Sequence, residues 1–186
     1  MLLLDVDGVI NSYPGPGNGA RSGVEVYRPR DEDGVEWTVW VEPEVRGWLA
    51  ELADTFGIVW CTTWRNANEA ISPLVGLPTD LPQILLPVRG RGEPFWFCWK
   101  TPQVRRWAAG TRVTRFAWID DEVSDADVDA LSEPWLAGRL PGKRWEWTIQ
   151  HTPAIRRDDL MLVRTRPQVG MTERQVGDLL EWGRHG

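Results

Sequence analysis

Apolar residues along this chain recur in two rhythms, and the rhythms alternate. Short unbroken runs, Leu2 to Leu4, Ile58 to Cys61 and Phe116 to Ile119, have no polar residue at every second position. Such runs read as strands buried on both faces of a parallel sheet. Between them the period lengthens. Val45, Trp48, Leu52 and Phe56 fall on one face of a helix predicted over Pro43 to Phe56 and closed by Gly57. A second helix is expected from Arg65 to Pro73, and a third from Thr101, with Pro102 in its first turn, through Val104 and Trp107 to Gly110. Ser124 with Asp127 and Thr172 with Gln175 read as capping pairs of two further helices, reaching Leu131 and Trp182. Ile84 to Leu86 and Leu160 to Val163 are strand candidates.

Two stretches interrupt this alternation. Ser12 to Gly23 is rich in glycine and proline and reads as a loop. Val24 to Val41 reads as a β-hairpin, with Val35, Trp37, Val39 and Val41 alternating after the turn signal Asp31-Glu32-Asp33-Gly34. Beyond Pro134 no clear period is legible until the last strand and helix, at about 158–184. The pattern predicts an α/β fold: a three-layer, Rossmann-like, mostly parallel sheet with helices on both faces, plus a hairpin flap at about 24–41. At 186 residues the chain is expected to form one domain over 1–186.

The first strand ends in chemistry. Asp5 and Asp7 follow the leucine run, with Gly8 next and Asn11 three residues later. A core strand of a parallel sheet delivers its C-terminal residues to the crevice where such folds bind ligands. Two acids there are unfavourable unless a cation or hydrogen bonds compensate them. A surface turn capped by the two aspartates is the plain alternative. A calcium loop of the EF-hand type fails, because Val9 and Ile10 stand where an oxygen donor and a glycine are needed.

Composition narrows the partners. The net charge of −6 argues against unspecific attraction to nucleic acid or an anionic membrane, though it leaves room for a local basic site. Arg28 with Arg30, Arg89 with Arg91 and Arg105 with Arg106 are clusters that could meet phosphate or be solvated partners of Asp and Glu, and Arg21, Arg28, Arg30, Arg89 and Arg91 are placed to help an open site. No segment resembles a signal peptide or reaches transmembrane length, so a soluble, cytoplasmic monomer without membrane contact is expected. Cys61 and Cys98 fit neither a disulfide framework nor a metal motif, and His151 and His185 lack ligand spacing. The thirteen tryptophans are read mostly as core, although exposed ones could stack on bases.

Four polar clusters end up at strand ends or a helix start: Asp5 with Asp7, Thr62 with Thr63, Lys100, and Asp120 with Asp121. On one edge of a parallel sheet they would form a site for a cation and a phosphate. Two carboxylates about 4 Å apart repel by roughly 4 kcal/mol at an effective dielectric near 20, so several together call for a metal. Oxygen donors select magnesium over zinc. Thr62 offers a hydroxyl and an N–H to phosphate oxygens, and Lys100 adds a positive charge at a helix start.

With these residues in this order, the chain resembles the haloacid dehalogenase-like (HAD) hydrolase superfamily, in a small-cap or capless form. Asp5-Val-Asp7-Gly8-Val-Ile-Asn11 is similar to its first motif, Thr62 to its second, Lys100 to its third, and Ile119-Asp120-Asp121 to its fourth. The match spans residues 1 to about 131. Receiver domains and Toprim domains order their acids differently. The resemblance implies a magnesium-dependent phosphatase. Asp5 would be the nucleophile and Asp7 the proton carrier, with Thr62 and Lys100 orienting the phosphoryl group. Asp5, the Asp7 carbonyl, and Asp120 or Asp121 or both would hold the metal. Gly8, Asn11, Thr63 and Arg65 would line the substrate site, and Thr63 is open as an alternative to Thr62. With no room for a folded cap between Gly76 and Phe97, the site is expected to be open and to admit a phosphorylated small molecule, a nucleotide or a nucleic-acid end. A non-catalytic module binding a phosphorylated partner is the alternative from another class.

Overall fold

The computed structural model describes residues 1–13, 23–87, 97–133 and 153–185. Most of the loop at 14–22, Arg21, Arg89, Arg91, His151 and the aperiodic stretch 134–152 lie outside them. The leucine run forms β1 (Leu2–Leu4), with all three residues fully buried. It is flanked by β4 (Ile58–Trp60) on one side and β5 (Phe116–Asp120) on the other, and β6 (Leu160–Arg164) adds to β5. The order is β4-β1-β5-β6 and every pairing is parallel, as expected for strands lacking a polar face.

Because side chains alternate across a strand, the sheet divides the core in two. Leu2, Leu4, Ile58, Trp60 and Ile119 pack on one face with α1 (Val45–Thr55) and α6 (Glu173–Arg184). Leu3, Val59, Phe116 and Trp118 pack on the other with α4 (Thr101–Thr111) and α5 (Asp125–Ser132). Helix α1 buries Val45, Leu49 and Leu52, leaving Trp48 at the edge of that stripe, and Phe56 stacks on Trp182 of α6 at 6.4 Å. The Ser124–Asp127 and Thr172–Gln175 capping boxes are both formed.

Three elements differ from expectation. The helix expected from Arg65 to Pro73 is two short ones, α2 (Ala67–Ala70) and α3 (Ser72–Val75), because Pro73 sits in the first turn of α3 and does not stop it. The stop is Gly76, in the left-handed region at φ 74°. No strand forms at Ile84 to Leu86. Only Gln83 bridges to Trp60, and Leu85 is 81% exposed. In the hairpin only β2 (Glu25–Tyr27) and β3 (Val39–Val41) pair regularly, antiparallel, while residues 28–38 form a long connection closed by a turn at Asp31–Gly34. The hairpin is pinned to the body: Asn66 donates to the Arg30 carbonyl at 3.0 Å, and Trp40 N–H donates to Asn11 Oδ1 at 3.0 Å.

Candidate active site

Strand parity aims the site. Asp5 has the parity of Leu3, and Asp120 that of Phe116 and Trp118, so both acids face the layer of α4. Lys100 is the residue at the start of that helix. Its Nζ lies 2.6 Å from Asp5 Oδ2 and 2.7 Å from Asp120 Oδ2, and also donates to the Cys61 carbonyl at 3.3 Å. All three charged groups are buried. Burial by itself would pull the lysine pKa down, but Asp5 and Asp120 more than offset it and hold it well above the ordinary value. Burial pushes Asp5 the other way from its usual range, up to about 8 despite Lys100. The ammonium is therefore firmly charged.

Lys100 is held from both sides. Asp127, fully buried, accepts from the Cys98 N–H at 2.7 Å and from the Thr101 hydroxyl, while its other oxygen caps α5 through Ser124. Trp99 Nε1 donates to Glu122 at 2.8 Å. Asp120 is fixed as firmly, accepting from Trp118 Nε1 at 3.2 Å and from the Glu122 N–H at 2.9 Å.

Asp121, of opposite parity, is half-buried at the mouth of the group. Burial, then the charges of Asp120 and Glu122, raise it to about 6. Its carboxylate lies where a side chain on Gly8 would have to go: a Cβ built there would stand 2.6 Å from Asp121 Cγ. Gly8 also has φ 76°, so glycine is required twice over. Ligand oxygens of Asp5, Asp120 and Asp121 can all lie within 4.8 Å of one another. When ionised, the three carboxylates outnumber the one ammonium by two charges, and every donor is a hard oxygen. That set fits a magnesium ion.

Asp7 turns away from this group. Its Oδ1 accepts from Asn11 Nδ2 at 2.9 Å, its Oδ2 from Trp64 Nε1 at 3.1 Å, and the Tyr13 hydroxyl is also bonded to it. Burial, then the Asp7 charge and this bond, raise the Tyr13 pKa. Asp7, Asn11 and Thr63 line a cavity of about 300 Å³ with Tyr13, Trp37 and Trp64. Thr62 is buried at the end of β4, beside the Cys61 carbonyl that Lys100 touches. With the exposed Thr63 and Arg65 it lines a neighbouring cavity of about 310 Å³. Arg65 Nε lies 3.5 Å from Glu32 Oε1.

The structure therefore brings Asp5, Lys100, Asp120 and Asp121 into one cluster and sets Asp7, Asn11 and Thr63 around the adjoining cavity. Arg28 and Arg30 are not part of it; they line a separate hollow with Tyr27 and Asn66. Both cysteines are free and buried, and burial raises both thiols. Sequence reasoning missed Tyr13 and Trp64 beside Asp7, and the brace behind the first motif. Thr165 Oγ1 donates to the Gly8 carbonyl at 2.7 Å, Met171 N–H to the Val9 carbonyl at 2.9 Å, and Tyr13 N–H to the Pro167 carbonyl at 2.8 Å. Gly170, at φ 72°, passes so close that a Cβ would lie 2.7 Å from the Val9 carbonyl oxygen. A glycine within Pro167-Gln-Val-Gly170 was the only local signal.

Among the described residues no helix is long and apolar enough to cross a membrane. No curated protein and no solved structure matches the chain. A family model does, over residues 1–176, which takes in every residue of the cluster, the cavity and the brace. The chain belongs to the HAD superfamily, within the family described as the HAD domain in Swiss Army Knife RNA repair proteins.

Proposed function

We propose that the protein is a magnesium-dependent phosphomonoester hydrolase that works through an aspartyl-phosphate on Asp5. The observation that carries this reading is the buried Asp5–Lys100–Asp120 group at the carboxyl edge of the sheet, with Asp7 two residues on and facing a cavity.

An Asp5 oxygen attacks phosphorus, the bond to the leaving oxygen breaks, and Asp7 gives that oxygen its proton. Asp7 then takes a proton from water, whose oxygen attacks the same phosphorus and releases phosphate with Asp5 restored. Lys100 and the Thr62 hydroxyl and N–H neutralise and orient the phosphoryl oxygens. Asp5, Asp120, Asp121 and the Asp7 carbonyl would hold magnesium, which when bound neutralises charge on the transferring group. Gly8 keeps the backbone close enough for Asp121 to stand beside the nucleophile.

Within this class, a phosphorylated nucleic-acid end is the substrate favoured by the family's place in RNA repair proteins. The test is release of phosphate, with magnesium, from a panel of sugar phosphates, nucleotides and oligonucleotides phosphorylated at either end. Turnover that vanishes in Asp5→Asn, and a phosphoaspartate mimic formed at Asp5 with beryllium fluoride, are the expected results. Silence across the whole panel, or an active Asp5→Asn protein, rejects the reading.

A further inference from the structure

The cavity beside Asp7 has features that phosphate chemistry does not use. Trp37, on the connection between β2 and β3, is 51% exposed, yet its one polar atom is satisfied: Nε1 donates to Asp31 Oδ2 at 2.7 Å. Asp31 is itself fixed, its other oxygen accepting from the Val35 N–H at 2.8 Å and the Asp33 N–H at 3.0 Å. An exposed indole tethered in this way offers its ring faces and nothing else. Trp64 also lines the cavity, with its N–H engaged by Asp7, and Tyr13 lines it with its ring set edge-on to Trp40, centroids 6.3 Å apart. Three aromatic rings thus surround a space of about 300 Å³, at the small end of ligand pockets.

Its charge is the opposite of what a phosphate would need. Asp7, Asp31 and Glu32 line it, and no lysine or arginine does among the described residues. The carboxylates repel a second phosphate and accept from N–H donors. Asp7 lines this cavity, and as the group that protonates the leaving oxygen in the reading above it draws the leaving group of the substrate here. A flat, uncharged, donor-bearing ring attached to the phosphorylated group fits that description.

We propose that the cavity seats the nucleobase of the phosphorylated nucleotide, with Trp37 as its stacking platform; this rests on the hydrolase reading above and adds a base-binding subsite to it. Stacking on one aromatic residue is sequence-tolerant, so all four bases are accepted and the base, not its identity, is read.

The test compares nucleoside 3′- and 5′-monophosphates with ribose 5-phosphate, which lacks the base. For each, kcat/KM is measured with wild type, Trp37→Ala and Trp37→Phe. Affinity is measured separately by calorimetry in the Asp5→Asn background with magnesium. The expected result is a wild-type preference for at least one nucleotide over ribose 5-phosphate that falls about five-fold or more in Trp37→Ala and is largely kept in Trp37→Phe, mostly through KM and affinity. Equal use of ribose 5-phosphate and both nucleotides by wild type, or a preference untouched by Trp37→Ala, overturns the subsite while leaving the hydrolase standing. If no phosphate is released from any compound, the hydrolase reading fails and calorimetry alone decides: nucleotide affinity unchanged by Trp37→Ala overturns the subsite as well, and a five-fold loss restored by phenylalanine upholds it.

Discussion

Asp5 and Asp7 are the same residue type, two positions apart, and they occupy opposite surroundings. Asp5 is 4% exposed and bonded to an ammonium that it shares with a second carboxylate. Asp7 is half-buried and held by neutral donors, an amide, an indole and a phenol, at the edge of a cavity. The bond from Lys100 fixes the Asp5 carboxyl in place and counters its charge once ionised; neutral donors orient Asp7 without tying it to a cation. The first setting suits a nucleophile that must not wander, the second a group that passes a proton back and forth.

This contrast makes graded predictions. The largest effect is expected for Asp5→Asn, with phosphate release falling by about 10⁴-fold or more while the circular dichroism spectrum stays native. Lys100→Met removes the shared ammonium and leaves Asp5 and Asp120 facing each other. Breaking a buried pair in this way costs about 3–5 kcal/mol, to be read from urea unfolding, and added magnesium should recover part of it. Stability equal to wild type would mean the ammonium is not what holds the two acids. Asp7→Asn keeps an acceptor for the neutral donors, so the fold should be unaffected while kcat drops by about 10²–10⁴-fold. That loss should be much smaller for p-nitrophenyl phosphate, whose leaving group needs little protonation; an equal loss for both substrates would remove Asp7 as the acid. Trp64→Phe, which deletes one donor to Asp7, should lower kcat by about ten-fold at most, with KM nearly constant.

The buried half of this comparison was legible in the sequence and the cavity half was not. Leu2 to Leu4 announced a core strand, and parity along Leu3–Asp5 and Phe116–Trp118–Asp120 already assigns Asp5 and Asp120 to one face of the sheet. Thr101-Pro102 marks the helix start that carries Lys100. By contrast, Tyr13, Trp37 and Trp64 come from three separate connections with no shared period, so nothing local shows that they meet. Asp127 reads in sequence as a cap for α5, and its second task, gripping Cys98 and Thr101 around Lys100, depends on two helices arriving together. Pro73 misled because proline is compatible with a first helical turn as well as with a helix end. The brace from Thr165 to Met171 is invisible for the same reason of distance, being more than 150 residues from the loop it holds.

That brace has a consequence for synthesis. Asp5, Asp7, Thr62, Lys100, Asp120 and Asp121 have all left the ribosome before any residue beyond 160 does, yet the Gly8 and Val9 carbonyls still lack the groups that hold them. The nascent chain carries its full chemical complement in an unsecured loop until the final strand docks beside β5. Competence to act on a phosphate should therefore arrive abruptly, once residues 160–171 have emerged and docked.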